Sequence, residues 1–405
     1  MKIVRILLVL AIAVGMMACN NEDVVEIIDG PEASISIKVY PSSDGPSFRA
    51  TGDLSGDGIL TPGLAAESAI KSLEVWVFAG DVLDGYGSSV AATPTEVKDI
   101  AAHVGLRDIV VIANAHIGNV ITSKTALLTR LENLPTDVAT KGLIMTAEPV
   151  VITLEKGKNY YGFTGTDVTG EHKYHVQTPL AITRVNARVA IVSATLDYDN
   201  VPADQKLYFD NLKDLQVAIF NVPNQTKLFG SPLATNTSYQ FGAEWPSPKF
   251  TYVGVGTGTP NTTLLYNALT NLLPSTPITA ASAPYYYVNE NTSTNVGDGT
   301  AANPGEKMII VLRAKVYKGT DAVTSLSGLY TDSNGYTYYP VWVNKDGLTP
   351  SGNVGNSNVY RNTQYNISLT IKGLGRPTID EVDKAWLDVK VEVAPWIVVN
   401  QNVEW

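Results

Sequence analysis

The sequence predicts an all-β chain of 405 residues, built as two sandwiches with a few short helices between strands. Three observations predict it. Runs rich in Val, Ile, Tyr and Phe recur along the whole chain, separated by Gly, Pro, Asn and Asp, the residues that end strands and form turns. Leu387–Val393 alternates strictly, with Leu387, Val389, Val391 and Val393 set against Asp388, Lys390 and Glu392. Such alternation buries one face of a strand and solvates the other. Windows with helical spacing are few and short, which suits connections across sandwiches rather than a helical layer.

A targeting segment precedes the strands. Lys2 and Arg5 form a basic start, and Ile6 to Val14 is an apolar run too short to span a bilayer as a mature helix. Met16-Met17-Ala18-Cys19 resembles a lipobox, with Met16 and Met17 where Leu and Gly or Ser are usual. This reading makes 1–18 a lipoprotein signal peptide and Cys19 the lipidation site, with palmitate among its acyl chains; the bland alternative is an ordinary secretory signal with a chance cysteine. Cys19 is the only cysteine, so an exported chain has no internal disulfide and must draw its stability from core burial.

Ala33 to Tyr40 (ASISIKVY) is the first predicted strand, with Ile35, Ile37 and Val39 on one face. Residues 41–58 (PSSDGPSFRATGDLSGDG) follow at once and are nearly all turn formers, unable to pack a core. Exposed backbone of that kind is where proteases cut. Between Cys19 and Ala50 the basic residues are Lys38, inside the strand, and Arg49, so an arginine-specific protease has one accessible choice. The bland alternative is a linker with an incidental arginine.

Further strands are predicted at Ser72–Phe78, Ile109–Asn114, Val150–Leu154, Asn186–Ala194, Leu215–Phe220, Met308–Tyr317, Tyr338–Val343 and Tyr365–Ile371. Helices are predicted at Pro94–His103, capped by Thr93 with Glu96 at the third helical position, at Ser123–Leu134, and at Thr262–Leu273. The polar stretch Asp197–Gln205 is the expected boundary between a first domain at 50–200 and a second at 201–405. Residues 386–405 form a tail of one or two strands, punctuated by Trp386, Trp396 and Trp405. These tryptophans serve either as anchors of the chain's own last strands or as anchors in a neighbour's groove.

Composition excludes several functions. The net charge is −10 and only 17% of residues are charged, with no basic stripe for nucleic acid. Asp53, Ser55, Asp57 and Gly58 match the first half of a calcium loop, but Leu64 stands where a bidentate carboxylate is required. His172 and His175 in EHKYH suit a metal only on a helix, and no partner ligand set accompanies them. Nothing like G-x-S-x-G appears, and GVGTG at 254–258 does not fit a phosphate loop. The reading is therefore not an enzyme, with no cofactor and no metal.

Several segments in order resemble the fimbrillin family of type V pilins. They are the lipoprotein signal ending at Cys19, SLEVWVF at 72–78, IVVIAN at 109–114, GLIMTAEPVVI at 142–152 and LAITRVNARVAIV at 180–192. YYYVNENTS at 285–293, YYPVWVN at 338–344, RNTQYNISLTIKGLG at 361–375 and the Trp-bearing tail complete the set. The resemblance is closer to major shaft subunits than to an anchor, because both Arg49 and the long tail are present; HKYH near 172 matches nothing in the pattern.

The resemblance implies two transthyretin-like β-sandwich domains and a fate. The precursor is lipidated at Cys19 and reaches the outer membrane surface. An arginine-specific protease cuts between Arg49 and Ala50, discarding the propeptide 19–49 with its removable strand. The donor tail of another copy then fills the groove, through Leu387, Val389, Val391 and Val393 or through Trp396, Ile397 and Val399. Head-to-tail repetition gives an extracellular fimbrium that supports adhesion, with anchor and accessory subunits and host or bacterial receptors as partners. Two alternatives stand beside it: a monomeric glycan-binding surface lipoprotein, using the surplus of tyrosines such as Tyr285, Tyr286, Tyr287, Tyr338 and Tyr339, and a fimbrial tip or accessory subunit.

Overall fold

A computed structural model describes residues 32–42, 65–91, 94–134, 137–165, 172–233, 239–240, 267–268, 284–295, 305–349, 352–353, 356–379 and 387–395. The described chain is mainly strand, with two 3-10 turns and three short α-helices: α1 (Lys124–Leu128), α2 (Val138–Lys141) and α3 (Ala203–Lys206).

The first eleven strands are β1 (Glu32–Pro41), β2 (Leu73–Ala79), β3 (Val82–Ser89), β4 (Glu96–His103), β5 (Gly105–Ala113), β6 (Leu131–Asn133), β7 (Met145–Thr146), β8 (Val150–Leu154), β9 (Gly157–Tyr161), β10 (His172–Val176) and β11 (Leu180–Arg184). All but β6 join one hydrogen-bonded set in the order β10-β9-β1-β11-β7-β5-β2-β3, with β4 on β1 and β8 on β5. One core gathers Ile35, Ile37, Val39, Val75, Val111 and Ile182. The other face of β2 and β5 packs Trp76, Phe78, Val110 and Ile112 against Leu127 of α1. Burial on both faces is why 72–78 reads as a continuous apolar run instead of alternating.

The second group comprises β12 (Asn186–Leu196), β13 (Asn211–Phe220), β14 (Val222–Pro223), β15 (Gln225–Lys227), β16 (Tyr239–Gln240), β17 (Asn267–Ala268), β18 (Tyr285–Asn289), β19 (Ile309–Lys318), β20 (Asp321–Ala322), β21 (Tyr336–Trp342), β22 (Leu348–Thr349), β23 (Gly352–Asn353), β24 (Thr363–Ile371) and β25 (Leu387–Pro395). One sheet runs β18-β12-β24-β25; the other runs β17-β13-β19-β20, with β21 on β19. Their inner faces share a core that includes Ile191, Val217, Leu312, Tyr339, Tyr365 and Ile367. Links near β15 help tie the groups together. β6 pairs antiparallel with β15, and Leu228 and Phe229, which follow β15, sit in the core of Trp76 and Phe78.

The structure corrects three expectations. Residues 96–103 are a strand, not a helix. Ile35 pairs with Ile100 and Ile37 with Val97, so two steps along β1 match three along β4. That bulge, with Asp99 at φ 52°, turns both Val97 and Ile100 inward, and the resulting three-residue spacing imitates a helix. The helix expected at 123–134 stops at Leu128. Ser123 caps it, its Oγ accepting from the Ala126 amide at 3.2 Å, but residues 131–133 leave to pair with β15. Of 262–273, residues 267–268 are strand and pair with β13, and the remainder lies outside the described residues. The polar stretch Asp197–Gln205 sets Tyr198 and Val201 against the second core, beside Phe209.

Candidate functional site

The two ends of the chain occupy contrasting places. β1 lies inside its sheet. From Ala33 to Ile37 it is parallel to β9 on one side and antiparallel to β4 on the other. From Val39 to Pro41 it is parallel to β11, and the Val39 amide donates to the Thr95 carbonyl at 2.8 Å. Ile35, Ile37 and Val39 are 0%, 1% and 2% exposed, so the face assigned from alternation is fully covered. Each such side chain contributes roughly 1.5–3 kcal/mol by burial. The opposite face is also seated. Ser36 accepts the Asp99 amide at 3.0 Å, and the Lys38 ammonium lies 5.9 Å from the Phe163 ring centre. Gly162, at φ +87°, comes so close that a Cβ there would sit 2.7 Å from the Lys38 carbonyl oxygen.

β25 is an edge strand. Among the described residues it pairs only with β24, in an unbroken register from Ile371 opposite Leu387 to Thr363 opposite Pro395. Leu387 is buried and Val391 packs partly against the core, but Val389 is 42% exposed. The alternating face is therefore only partly covered, because β25 overhangs an open cleft of about 310 Å³ bounded by Pro340 and Trp342 of the opposite sheet and by Lys345 in the turn after them. Val393 pairs with Tyr365 through the backbone. Trp396, Ile397 and Val399, like Cys19, Arg49 and Ala50, lie outside the described residues.

A buried polar cluster joins the ends of the 43–64 stretch, and sequence reasoning missed it. Before the stretch, the Ser42 amide donates to the Ile182 carbonyl at 2.8 Å, and Asn362 Nδ2 donates to the Ser42 carbonyl at 3.4 Å. After it, Glu67 is fully buried, accepts the Tyr287 hydroxyl at 2.9 Å and faces Arg188 at 3.6 Å. Arg184 binds both sides, donating to the Glu67 carbonyl at 2.8 Å, to Ser68 at 2.8 Å and to Asn362 at 3.1 Å. Burial pulls the Arg184 guanidinium down to about 10, with Glu67 opposing the shift. Burial, then Glu67, raises the Tyr287 hydroxyl. The only advance signal was that Arg184, Asn186 and Arg188 interrupt an otherwise apolar strand sequence.

The other candidates have structural places. His172 and His175 lie on β10; His172 stacks edge-on against Tyr174, and His175 Nε2 is 2.9 Å from Asn159 Oδ1. Burial, then Lys173, lowers the His175 pKa, with Glu155 opposing. Among the described residues no group of three or more His, Cys, Asp or Glu side chains is placed to hold a metal ion. Tyr286, Tyr338 and Tyr339 are core residues, and Tyr285 lies under the Arg188 guanidinium at 4.6 Å.

Comparison with known proteins bears on this arrangement. The family model for the major fimbrial subunit protein FimA matches residues 33–184, and that for the fimbrillin C-terminal region matches 329–402. A major fimbrium subunit FimA type-2 of Porphyromonas gingivalis is 30% identical over 426 aligned residues, covering all of both chains. The chain belongs to the fimbrillin family. A FimA type-4 subunit of the same organism is 29% identical, again over all of both chains. The crystal structure of a fimbrillin from P. gingivalis W83 superposes with a TM-score of 0.67 at 23% identity, covering 93% of this chain and 100% of that one. The all-β fold is thus the fimbrillin fold. The first family match opens inside β1 and closes at the end of β11, so this fimbrillin's first sheet, β1 included, coincides with one family unit.

Proposed function

We propose that this fimbrillin is the shaft subunit of a cell-surface fimbria that polymerises when a protease severs β1 from the rest of the chain. The observation that carries the reading is the place of β1: a strand inside a sheet, followed directly by a turn-rich stretch whose one arginine is Arg49. Cutting at Arg49–Ala50 leaves the groove of Ile35, Ile37 and Val39 dependent on pairing alone, and a strand from another copy can take that pairing over. Each copy gives one strand and takes one, so the contact is head-to-tail and does not close. Lipidation at Cys19 holds the precursor at the outer membrane, and adhesion, with anchor and accessory subunits, is the role of the finished fibre. On this reading residues 19–49 are a propeptide, and the two sandwiches are the domains of the polymerised subunit.

The part of the tail that inserts is best read as the stretch after β25. β25 covers β24 over its whole length, and its departure would expose the β24 edge and Leu387's place in the core. Beyond it, Ile397, Val399, Val403 and Trp405 fall at alternate positions, as the apolar residues of β1 do, with Gln401 interrupting the series. The glycan-binding alternative loses its platform, since three of its five tyrosines are core residues.

The test is the N-terminal residue and native size of the protein sheared from the cell surface. A start at Ala50 in a ladder of multimers supports the proposal. A start at Cys19 in a monomer overturns it. Arg49→Ala cells that still build normal fibres would remove the processing step, and polymerisation without residues 386–405 would remove the donor.

A further inference from the structure

We infer that cutting the chain beyond Ser42 does not release β1, and that β1 leaves only as an incoming strand displaces it, beginning at its Ser42 end. The inference rests on the strand-exchange reading and supplies its order of events.

The sheet order gives the first reason. Among the described residues β9 pairs only with β1 and β10, and β4 pairs only with β1. β1 is therefore the strand through which β9, β10 and β4 reach the rest of the sheet. Withdrawing it does not uncover a ready slot. It leaves the β9–β10 pair and β4 with unpaired backbone edges, a loss the fold resists. The severed strand keeps all of its buried face, Ile35, Ile37 and Val39. A cut beyond Ser42 removes the covalent link and none of the described contacts of β1, and the product is a two-piece complex.

The two halves of β1 give the direction. Ala33 to Ile37 is flanked by strands on both sides. Among the described residues, Val39 to Pro41 has β11 on one side and a single backbone bond, to Thr95, on the other, and Tyr40 is 40% exposed. This weaker half is also the half that a cut sets free. Its last fastening is Ser42, held by the Ile182 carbonyl and by Asn362, which Arg184 orients in turn. Fraying at Ser42 bares β11 beside Ile182. A donor that pairs there can advance toward Ala33 one residue pair at a time, so β9 and β4 always have a partner. Asn362 and Arg184 are positioning residues for that entry point. One consequence concerns the membrane: whatever is attached ahead of β1 stays with the subunit after the cut, so detachment waits for a donor strand.

The experiment uses the purified full chain, cut by an arginine-specific protease and checked by N-terminal sequencing. Native size exclusion with intact mass then follows the β1 fragment, and hydrogen exchange follows the β9 and β10 amides. The fragment should co-elute one to one and leave only when a synthetic peptide is added. A fragment that separates unaided from a subunit with β9 and β10 still protected would overturn the inference. Displacement by a peptide of residues 32–42 but not by one of 386–405 would uphold it and instead sink the donor-tail reading. Direction is read from variants. Asn362→Ala, or Ser42→Pro if that variant folds poorly, should speed displacement about tenfold, the worth of one hydrogen bond at the entry point. Asn159→Ala, which removes a 3.2 Å bond to the Ser34 carbonyl in the far half, should leave the rate nearly unchanged. Equal acceleration by both would overturn the direction of entry.

Discussion

β1 and β25 look alike as sequence and differ in every physical respect that governs exchange. Both alternate apolar and polar residues, and both are about as long. β1 has sheet neighbours on both sides and an apolar face that no solvent reaches. Among the described residues β25 has one neighbour, an overhanging Val389 and an open cleft beneath it. The alternation sets which side chains face inward, but the number of neighbours sets how hard a strand is to remove. A strand like β1 leaves by replacement. A strand like β25 can stay in its own subunit while the chain beyond it reaches elsewhere.

The contrast breaks most readily with a charge. Ile37→Asp buries an unpaired carboxylate and should cost about 4 kcal/mol or more, enough to unfold the first sheet. Val389→Asp should stay within about 0.5 kcal/mol, since that position already meets water. Urea midpoints of the two purified precursors decide the matter, and equal losses would mean that β25 is as enclosed as β1. Truncation gives a milder form of the same comparison. Ile37→Ala should cost about 2–5 kcal/mol, the range for an aliphatic side chain deleted from a closed core.

Gly162→Ala sharpens the comparison by acting in part on β1. The new methyl meets the Lys38 carbonyl oxygen and Pro179, on a backbone at φ +87°. Overpacking of this kind costs about 1–3 kcal/mol. Part of that penalty vanishes once β1 is gone, so the variant should also speed strand displacement in the cut protein. A loss of stability with no change in displacement rate would mean that Gly162 serves only its own turn.

How much of this was legible in the sequence depended on where each signal is stored. β2, β5, β12, β19 and β24 announced themselves because each carries its own run of apolar residues. β3 (VLDGYGSS) did not, since its place is dictated by a neighbour. A Cβ on Gly87 would fall 2.6 Å from Ile100 and 2.8 Å from Val97, so glycine there makes room for β4 to cross. The bulge at Asp99 likewise exists only in the pairing of β4 with β1, and without that pairing the segment reads as helix. The inward face of β1 was readable from Ile35, Ile37 and Val39; its double-sided pairing was not, because β9 and β11 lie more than a hundred residues away in sequence. The Arg184–Glu67–Asn362 cluster was hidden for the same reason: beyond the polar interruptions at Arg184, Asn186 and Arg188, its residues come from three distant segments and share no local pattern.

The smallest expected effect separates the two regions by acid. On the β1 side, Asp84 is nearly inaccessible and accepts the His103 amide at 2.9 Å and Arg107 Nε at 2.6 Å. Burial opposes its ionised form, yet the bonds from His103 and Arg107 outweigh it and hold the carboxyl below its usual range. A carboxylate held down in the folded state binds fewer protons there than in the unfolded chain, so its contribution is complete above the ordinary carboxylate value of about 4 and fades as pH falls below it. On the β25 side, Asp388 pairs with Lys372 in the open, where water screens the attraction. Asp84→Asn should therefore flatten the acid limb of the stability profile, whereas Asp388→Asn should leave it unchanged. Urea midpoints measured across that window would show it. An acid limb flattened equally by both would mean that the ion pair on the edge strand is shielded from solvent as well, which the single neighbour of β25 does not provide.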